Sequence, residues 1–277
     1  MVVPDFGLLG FECLDFSRLR RQLVSGTGEW FNPAVAKPHE IIETRYSTED
    51  GKQQYLRQLF NEGAVDYDRI GWIGSFGTGS LYRKQALKRG GLTPGMRVVD
   101  VACGTGAVTR AILQVLNGSG SVVGVDPSPG MLAQARAHVQ AEFKEGEAEA
   151  LPFPDESFDF LTMGYALRHV SDLQKALTEY RRVLRPGGRV LLLEITRPKG
   201  RLSLALTRFY FRDFLGWMMT LTGGGKTSRE MMTYYWETID VCVPPESILT
   251  AMKESGFEEV TRIKQAGIFS EYQGRKP

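Results

Sequence analysis

Two aspartates and a glycine turn carry the clearest chemical signal in this chain. Arg97-Val98-Val99-Asp100-Val101 is apolar apart from its first residue and Asp100, and Ala102-Cys103-Gly104-Thr105-Gly106 follows it before a helical pattern starts at Ala107. About twenty residues past the turn a second apolar run, Val122-Val123-Gly124-Val125, ends in Asp126. A glycine turn between a strand and a helix lets bare backbone approach a nucleotide-like ligand, and an acid at the tip of the next strand can accept from both ribose hydroxyls. The turn departs from the dinucleotide fingerprint, because the third small residue is replaced by Thr109. Asp100 would also repel a phosphate and favour an ammonium. Adenosine with an ammonium and no phosphate describes S-adenosylmethionine. A purely structural strand-turn-helix is the alternative, and the spacing of Asp126 argues against it.

Weaker signals lie on either side. Glu147, in Gly146-Glu147-Ala148-Glu149, follows a third predicted strand, where its carboxylate could accept from an adenine amino group and the Ala148 amide could donate to the ring. Gly223-Gly224-Gly225-Lys226-Thr227 imitates the end of a phosphate loop, but that pattern requires glycine where Thr220 stands, and a preceding strand.

The elements that must position these residues alternate. Strands are expected at 97–102, 121–126, 142–146, 158–164 and 189–195, with helices at 106–116, 128–140 and 172–184 between them. The turn Arg185-Pro186-Gly187-Gly188 is expected to launch the strand at 189. Such alternation predicts an α/β fold, a doubly wound and mostly parallel sheet with helices on both faces. After a helix at 245–255, runs 258–264 and 267–273 meet at Ala266-Gly267 and predict two antiparallel strands. The expected division is an N-terminal arm with helices over 1–90 and a ligand-binding domain over 91–277. Within the arm, Ser47-Thr48-Glu49-Asp50 reads as a helix start, a further helix is expected over 61–70, and a basic one over 81–89. Residues 197–243 interrupt the alternation with an aromatic-rich insertion, either a helical cap on the core or a lid over an apolar substrate or a membrane surface.

Composition narrows the function. The chain has 277 residues, 42% hydrophobic and 24% charged, with a net charge of +2. That balance argues against a dedicated nucleic-acid partner. Three cysteines without a CxxC pair, and three histidines, provide neither a disulfide framework nor a metal constellation. Met1 to Gly10 lack the pattern of a signal peptide, so the expected location is cytoplasmic. The basic residues Arg83, Lys84, Lys88 and Arg89 allow weak attraction to anionic lipid, so peripheral membrane contact stays open, as does a homodimer.

Four stretches carry a family resemblance: VVDVACGTGAVT from Val98, VVGVDPSPGML from Val122, GEAEALPFPDESFDFLTMGYALRHVSD from Gly146 and RRVLRPGGRVLLLE from Arg181. Together they resemble the class I S-adenosylmethionine-dependent methyltransferases, and more narrowly the ubiquinone/menaquinone biosynthesis C-methyltransferase family. The resemblance runs from about Phe60 to the C-terminus and includes Tyr67-Asp68 and Ser75-Phe76-Gly77. It implies a seven-stranded Rossmann-like fold, with a cofactor site built from Tyr67, Asp100, Ala102, Gly104, Thr105, Gly106, Asp126, Met131, Glu147, Ala148 and Gly164. The family usually carries Asn or Asp where Glu147 stands, and Ser where Gly164 stands. Leu167-Arg168-His169-Val170 replaces the family's Leu-Arg-Asn-Val. The implied reaction is ring C-methylation of a prenylated quinol, in which a hydroxyl beside the reacting carbon must lose its proton. His169 could be the base and Arg168 the charge that stabilises the phenolate, with Tyr165 beside them. A histidine that merely packs remains open. So do O- or N-methylation of a secondary metabolite, and a cofactor-binding subunit without turnover.

Overall fold

The computed structural model describes residues 38–39, 42–222 and 226–277. Most of the expected arm before residue 46 and the glycine run at 223–225 lie outside the described residues. Strands β1 (Arg97–Val101), β2 (Ser121–Asp126), β3 (Glu142–Glu145), β4 (Phe158–Gly164), β5 (Leu184–Ile195), β6 (Glu258–Gln265) and β7 (Phe269–Arg275) form one sheet in the order β3-β2-β1-β4-β5-β7-β6. The first five are parallel, and β7 runs antiparallel to both β5 and β6. Helices α3 (Ala107–Leu116), α4 (Pro129–His138) and α5 (Leu173–Val183) fill the crossovers. The strand order reverses between β1 and β4, and a crevice opens outside their carboxyl ends.

Apolar residues of β1, β4 and β5 pack on both sheet faces. Val99, Leu161 and Leu192 meet α5 and α9 (Pro245–Glu254) through Leu177 and Met252. Val98, Phe160 and Leu191 meet α2 (Gly79–Arg89) and α3 through Leu87 and Ile112. A third apolar cluster packs at the end of the sheet, where it takes in Ile195 of β5. It joins α1 (Glu49–Gly74) to the insertion, through Leu56, Leu59 and Ile70 against Phe211, Leu215, Met231, Tyr234 and Trp236. Within the insertion, α6 (Arg201–Arg208), a π-helical turn (Phe209–Phe214), α7 (Leu215–Leu221) and α8 (Lys226–Val241) follow one another.

Several expectations change. The two helices expected within 47–70 are one helix of 26 residues, capped by Thr48, whose Oγ1 accepts from the Gly51 amide at 3.0 Å. Gly63 does not break it. A Cβ there would fall 1.9 Å from Met231 Cε, so the glycine is where α1 and α8 approach each other. Gly71 and Gly74 also stay helical, which moves the break to residues 75–78. The turn at Arg185–Gly188 does not start β5. The strand pairs with β4 from Leu184 onward and bulges there, resuming at Arg189 opposite Phe160. Strand β7 lies two residues later than expected, because residues 266–268 are used in the turn. The described residues all fall in one compact unit, which includes α1 and α2.

Candidate active site

The crevice at the sheet's switch point is a cavity with about 840 Å³ of empty space, counting its open mouth. Its floor is strand termini: Ala102 and Gly104 after β1, Asp126 at the end of β2, Met163 and Gly164 at the end of β4, then Tyr165 and Ala166. Helix α1 closes one side with Gln53, Leu56, Arg57, Phe60 and Tyr67.

The glycine turn is locked from behind. Asp126 accepts from the Gly104 amide at 2.8 Å through one oxygen and from the Ser128 amide at 2.9 Å through the other. Burial pushes its carboxyl up to about 6, against the pull of those two amides. Ser128 then caps α4 by accepting from the Met131 amide at 3.1 Å, and donates to Asn61 Oδ1 at 2.6 Å, tying the helix start to α1. Gly104 has φ +55°, and a Cβ there would meet nothing within 4 Å, so its face opens onto the cavity. Gly106 (φ +82°) faces the other way, with Val139 Cγ2 3.0 Å from the position of a Cβ. Two residues that are not glycine, Ala102 (φ +52°) and Tyr165 (φ +62°), take the left-handed conformation at the ends of β1 and β4. Both line the cavity, and strained backbone of this kind gathers where a site is held in shape.

Of the fourteen residues expected at the site, ten line this cavity: Tyr67, Ala102, Gly104, Asp126, Met131, Glu147, Ala148, Gly164, Tyr165 and His169. Four do not. Asp100 is buried in mid-strand, where Thr109 Oγ1 donates to it at 2.6 Å and its other oxygen has no partner. Burial pushes that carboxyl up to about 7. Thr105 points its hydroxyl at Asp68 of α1, and Gly106 packs away from the opening.

Arg168 is the clearest departure. The 3-10 turn Leu167–His169 directs two neighbouring side chains to opposite sides. Arg168 goes inward and is fully buried, in an ion pair with Glu194 of β5, donating from Nε to Thr238 Oγ1 at 3.0 Å and lying 4.1 Å over the Tyr235 ring. Burial opposes its charge, and the Glu194 carboxylate together with Tyr235 more than offsets that, so the guanidinium stays protonated. Its charge is spent within the fold, which leaves no role touching an acceptor. His169 instead lines the cavity between Phe60 (5.4 Å, edge to face) and Tyr234 (5.7 Å, stacked), and its buried Nδ1 has no partner. Burial, then the Arg168 cation, hold its pKa well below the ordinary histidine range, so the imidazole is neutral.

Gln53, Leu56, Arg57, Phe60, Glu149 and Val170 line the cavity without having been singled out as site residues. The first four follow one face of α1, the same face that reads in sequence as ordinary core spacing. Arg57 pairs with Glu147 at the mouth, and Glu149 accepts from the Ser171 amide at 2.6 Å, holding the start of α5. One end of the cavity is therefore acidic and rich in backbone groups, and the other is aromatic. Among the described residues, no three His, Cys, Asp or Glu side chains gather as metal ligands would.

Comparisons with known proteins point the same way. The family model for the ubiE/COQ5 methyltransferase family matches residues 48–276. The demethylmenaquinone methyltransferase of Symbiobacterium thermophilum is 35% identical over 218 residues, spanning 75% of this chain and 86% of the relative. A ubiquinone/menaquinone biosynthesis C-methyltransferase UbiE of Pseudomonas savastanoi pv. phaseolicola is 32% identical over 253 residues, 87% of this chain and 96% of the relative. Among solved structures, a SAM-dependent methyltransferase from Thermotoga maritima has a TM-score of 0.57 at 24% identity, covering 79% of this chain and 99% of that one, a likeness of fold.

Proposed function

The chain belongs to the ubiE/COQ5 methyltransferase family, and from that premise we propose that it methylates a ring carbon of a prenylated quinol. It is an S-adenosylmethionine-dependent methyltransferase. The relatives named for demethylmenaquinone and ubiquinone/menaquinone biosynthesis support an acceptor of this class. The observation that carries the proposal is the two-ended cavity, with Gly104 and Asp126 at one end and Phe60, Tyr67, Tyr165 and His169 around the other.

The residues present fit the cofactor. The bare face of Gly104 admits a ligand edge, Asp126 presents a carboxylate suited to ribose hydroxyls, and Met131 lies beside it. Glu147 and Ala148 supply an acceptor and an amide for an adenine ring, while Tyr67 and Gly164 border the methionine end. When bound, S-adenosylmethionine supplies a methyl group on a sulfonium. The protein's contribution is then alignment and exclusion of water, which proximity makes worth several orders of magnitude in rate. His169, neutral and within the aromatic wall, accepts the proton of the hydroxyl beside the reacting carbon. Arg168 acts as a positioning residue, anchoring the turn that presents His169. Tyr165 borders the ring.

The acceptor is a small molecule, with no nucleic-acid partner. The proposal also includes a cytoplasmic location with peripheral membrane contact, and a homodimer as the assembly to look for.

The test supplies methyl-labelled S-adenosylmethionine with a short-chain demethylated quinol kept reduced. The expected product carries the label on a ring carbon by NMR, and His169→Ala lowers kcat by about 10²-fold or more, leaving cofactor affinity unchanged. Label on oxygen would move the enzyme to heteroatom methylation. Tight cofactor binding without any product would make the chain a non-catalytic subunit.

A further inference from the structure

The surface of the insertion carries large apolar side chains. Leu202, Leu206, Phe209, Trp217 and Leu221 are all exposed, and Trp72 and Phe76 at the end of α1 are exposed beside them. Leu202, Leu206 and Phe209 follow the i, i+4, i+7 spacing of one helix face, and Trp217 and Leu221 resume the i, i+4 spacing past the π turn. The two groups are joined through Tyr210. Its ring lies 6.4 Å from Phe76 and stacks on Phe214 at 5.8 Å, its hydroxyl donates to the Gly74 carbonyl at 2.7 Å, and Phe214 reaches Trp217 at 6.3 Å. Isolated exposed apolar residues are ordinary on a soluble protein. Seven large ones, five of them spaced along one insertion and two of the seven, Phe76 and Trp217, linked through Tyr210 and Phe214, are not.

The charges along this stretch are mostly basic. Between residues 197 and 222 stand Arg197, Lys199, Arg201, Arg208 and Arg212 against a single acid, Asp213. Arg197 pairs with Asp240, Lys199 loosely with Glu246 at 3.7 Å, and Arg212 with Asp213. Arg201 and Arg208, exposed at either end of α6, have no ion pair among the described residues. A second copy docking through this face by two-fold symmetry would bring these cations towards themselves. An anionic bilayer offers the opposite charge at the headgroups and an apolar layer beneath, and Trp at the boundary suits both.

We propose that this face, Leu202, Leu206, Phe209, Trp217 and Leu221 with Trp72 and Phe76, seats the enzyme on an anionic lipid surface. Trp72 lies five residues beyond Tyr67 on the same helix, roughly 7.5 Å along its axis, so the seated face adjoins the aromatic end of the cavity. The purpose of the contact rests on the lipid-soluble acceptor proposed above, whereas the contact itself rests on the surface alone.

The whole chain is sedimented with vesicles of phosphatidylcholine alone, or with about one third phosphatidylglycerol. Binding is expected with the anionic vesicles and is expected to weaken in high salt. The Leu202→Ser/Phe209→Ser/Trp217→Ser/Leu221→Ser variant is expected to partition at least about tenfold less. Its cofactor affinity, and its turnover of a short-chain water-soluble quinol, should be unchanged. If that variant does not fold, Arg201→Gln/Arg208→Gln takes its place, with the preference for anionic vesicles as the readout. The proposal is overturned if the wild-type chain ignores both vesicles, if the variants bind as it does, or if the substitutions abolish a dimer in solution and leave lipid binding intact. Vesicle binding without any quinol turnover would refute the acceptor and leave the lipid surface standing. Quinol turnover without vesicle binding would do the reverse.

Discussion

Arg168 is placed to separate a structural cation from a catalytic one. Replacing it with Met keeps an unbranched side chain and removes the charge. Glu194, itself about 1% exposed, then keeps only backbone donors, among them the Ile195 amide at 2.8 Å, and has no cation beside it. Removing one partner of a buried ion pair costs about 3–5 kcal/mol, because the remaining charge is left without compensation. For a chain of this size that is a loss of roughly 10 °C in melting temperature. The double variant Arg168→Met/Glu194→Gln removes both charges and retains an acceptor for the Ile195 amide, so it should recover most of the loss. Urea unfolding followed by circular dichroism measures both, and the double-mutant cycle isolates the pair. The Arg168→Met enzyme should keep its cofactor affinity and lose turnover only modestly beyond its folded fraction, through a loosened His169 turn. A variant within about 1 kcal/mol of wild type whose kcat nevertheless fell a hundredfold would refute the reasoning and return the cation to the acceptor. So would a double variant no more stable than the single.

Three further expectations concern the cofactor end. Gly164 stands where the family usually has Ser, but a Cβ there would fall 2.7 Å from Val108 Cγ2. Gly164→Ser should therefore cost about 1–3 kcal/mol by overpacking, and Val108→Ala in the same chain should recover much of it, as read by thermal melting and by the KM for cofactor. Asp100 titrates near 7 in the fold against 3.8 ordinarily, so its neutral form favours folding. That contribution is fully present below about pH 4 and is lost as pH rises through about 7, at up to about 1.4 kcal/mol per pH unit. Melting curves across this range should flatten in Asp100→Asn, and an unchanged slope would contradict the raised pKa. Arg57→Ala should change stability by less than about 1 kcal/mol, because both partners of the Arg57–Glu147 pair are well exposed. It should speed cofactor release about two- to fivefold in stopped flow, the factor one such contact is worth. Release at the wild-type rate would show that the pair does not close the mouth.

Much of the fold follows from local pattern. The runs at Val98, Val122, Phe158 and Val190 are buried on both faces and therefore nearly continuous in apolar residues, and each is punctuated by Gly, Pro or a capping Ser or Asp. Alternation of such strands with amphipathic helices leaves few topologies, so the parallel sheet, its antiparallel end, the glycine turn and the acid at Asp126 are all legible in one dimension. Where local signals misled, a distant contact had overruled them. The stretch from Thr48 to Ile70 reads as two helices, yet it is one, and Met231 and Leu215 occupy the space beside its Gly63 and Gly74. The face of α1 that lines the cavity has the spacing of any core-facing helix, and only its placement against the strand ends distinguishes it.

Arg168 and His169 show the same division within two adjacent residues. Sequence identifies their types and their position after β4. It contains nothing to say which one faces the cavity, because that depends on Glu194 from β5 and on Thr238 and Tyr235 from α8 lying on the other side of the turn. Spacing alone determined a nucleoside-binding turn and the sheet edge where it belongs, whereas the family resemblance determined the cofactor, since Asp100, read as the site for its ammonium, is buried in mid-strand away from the cavity. Tertiary structure decided which charges are spent within the protein, since burial and pairing depend on elements that meet only after the chain has folded.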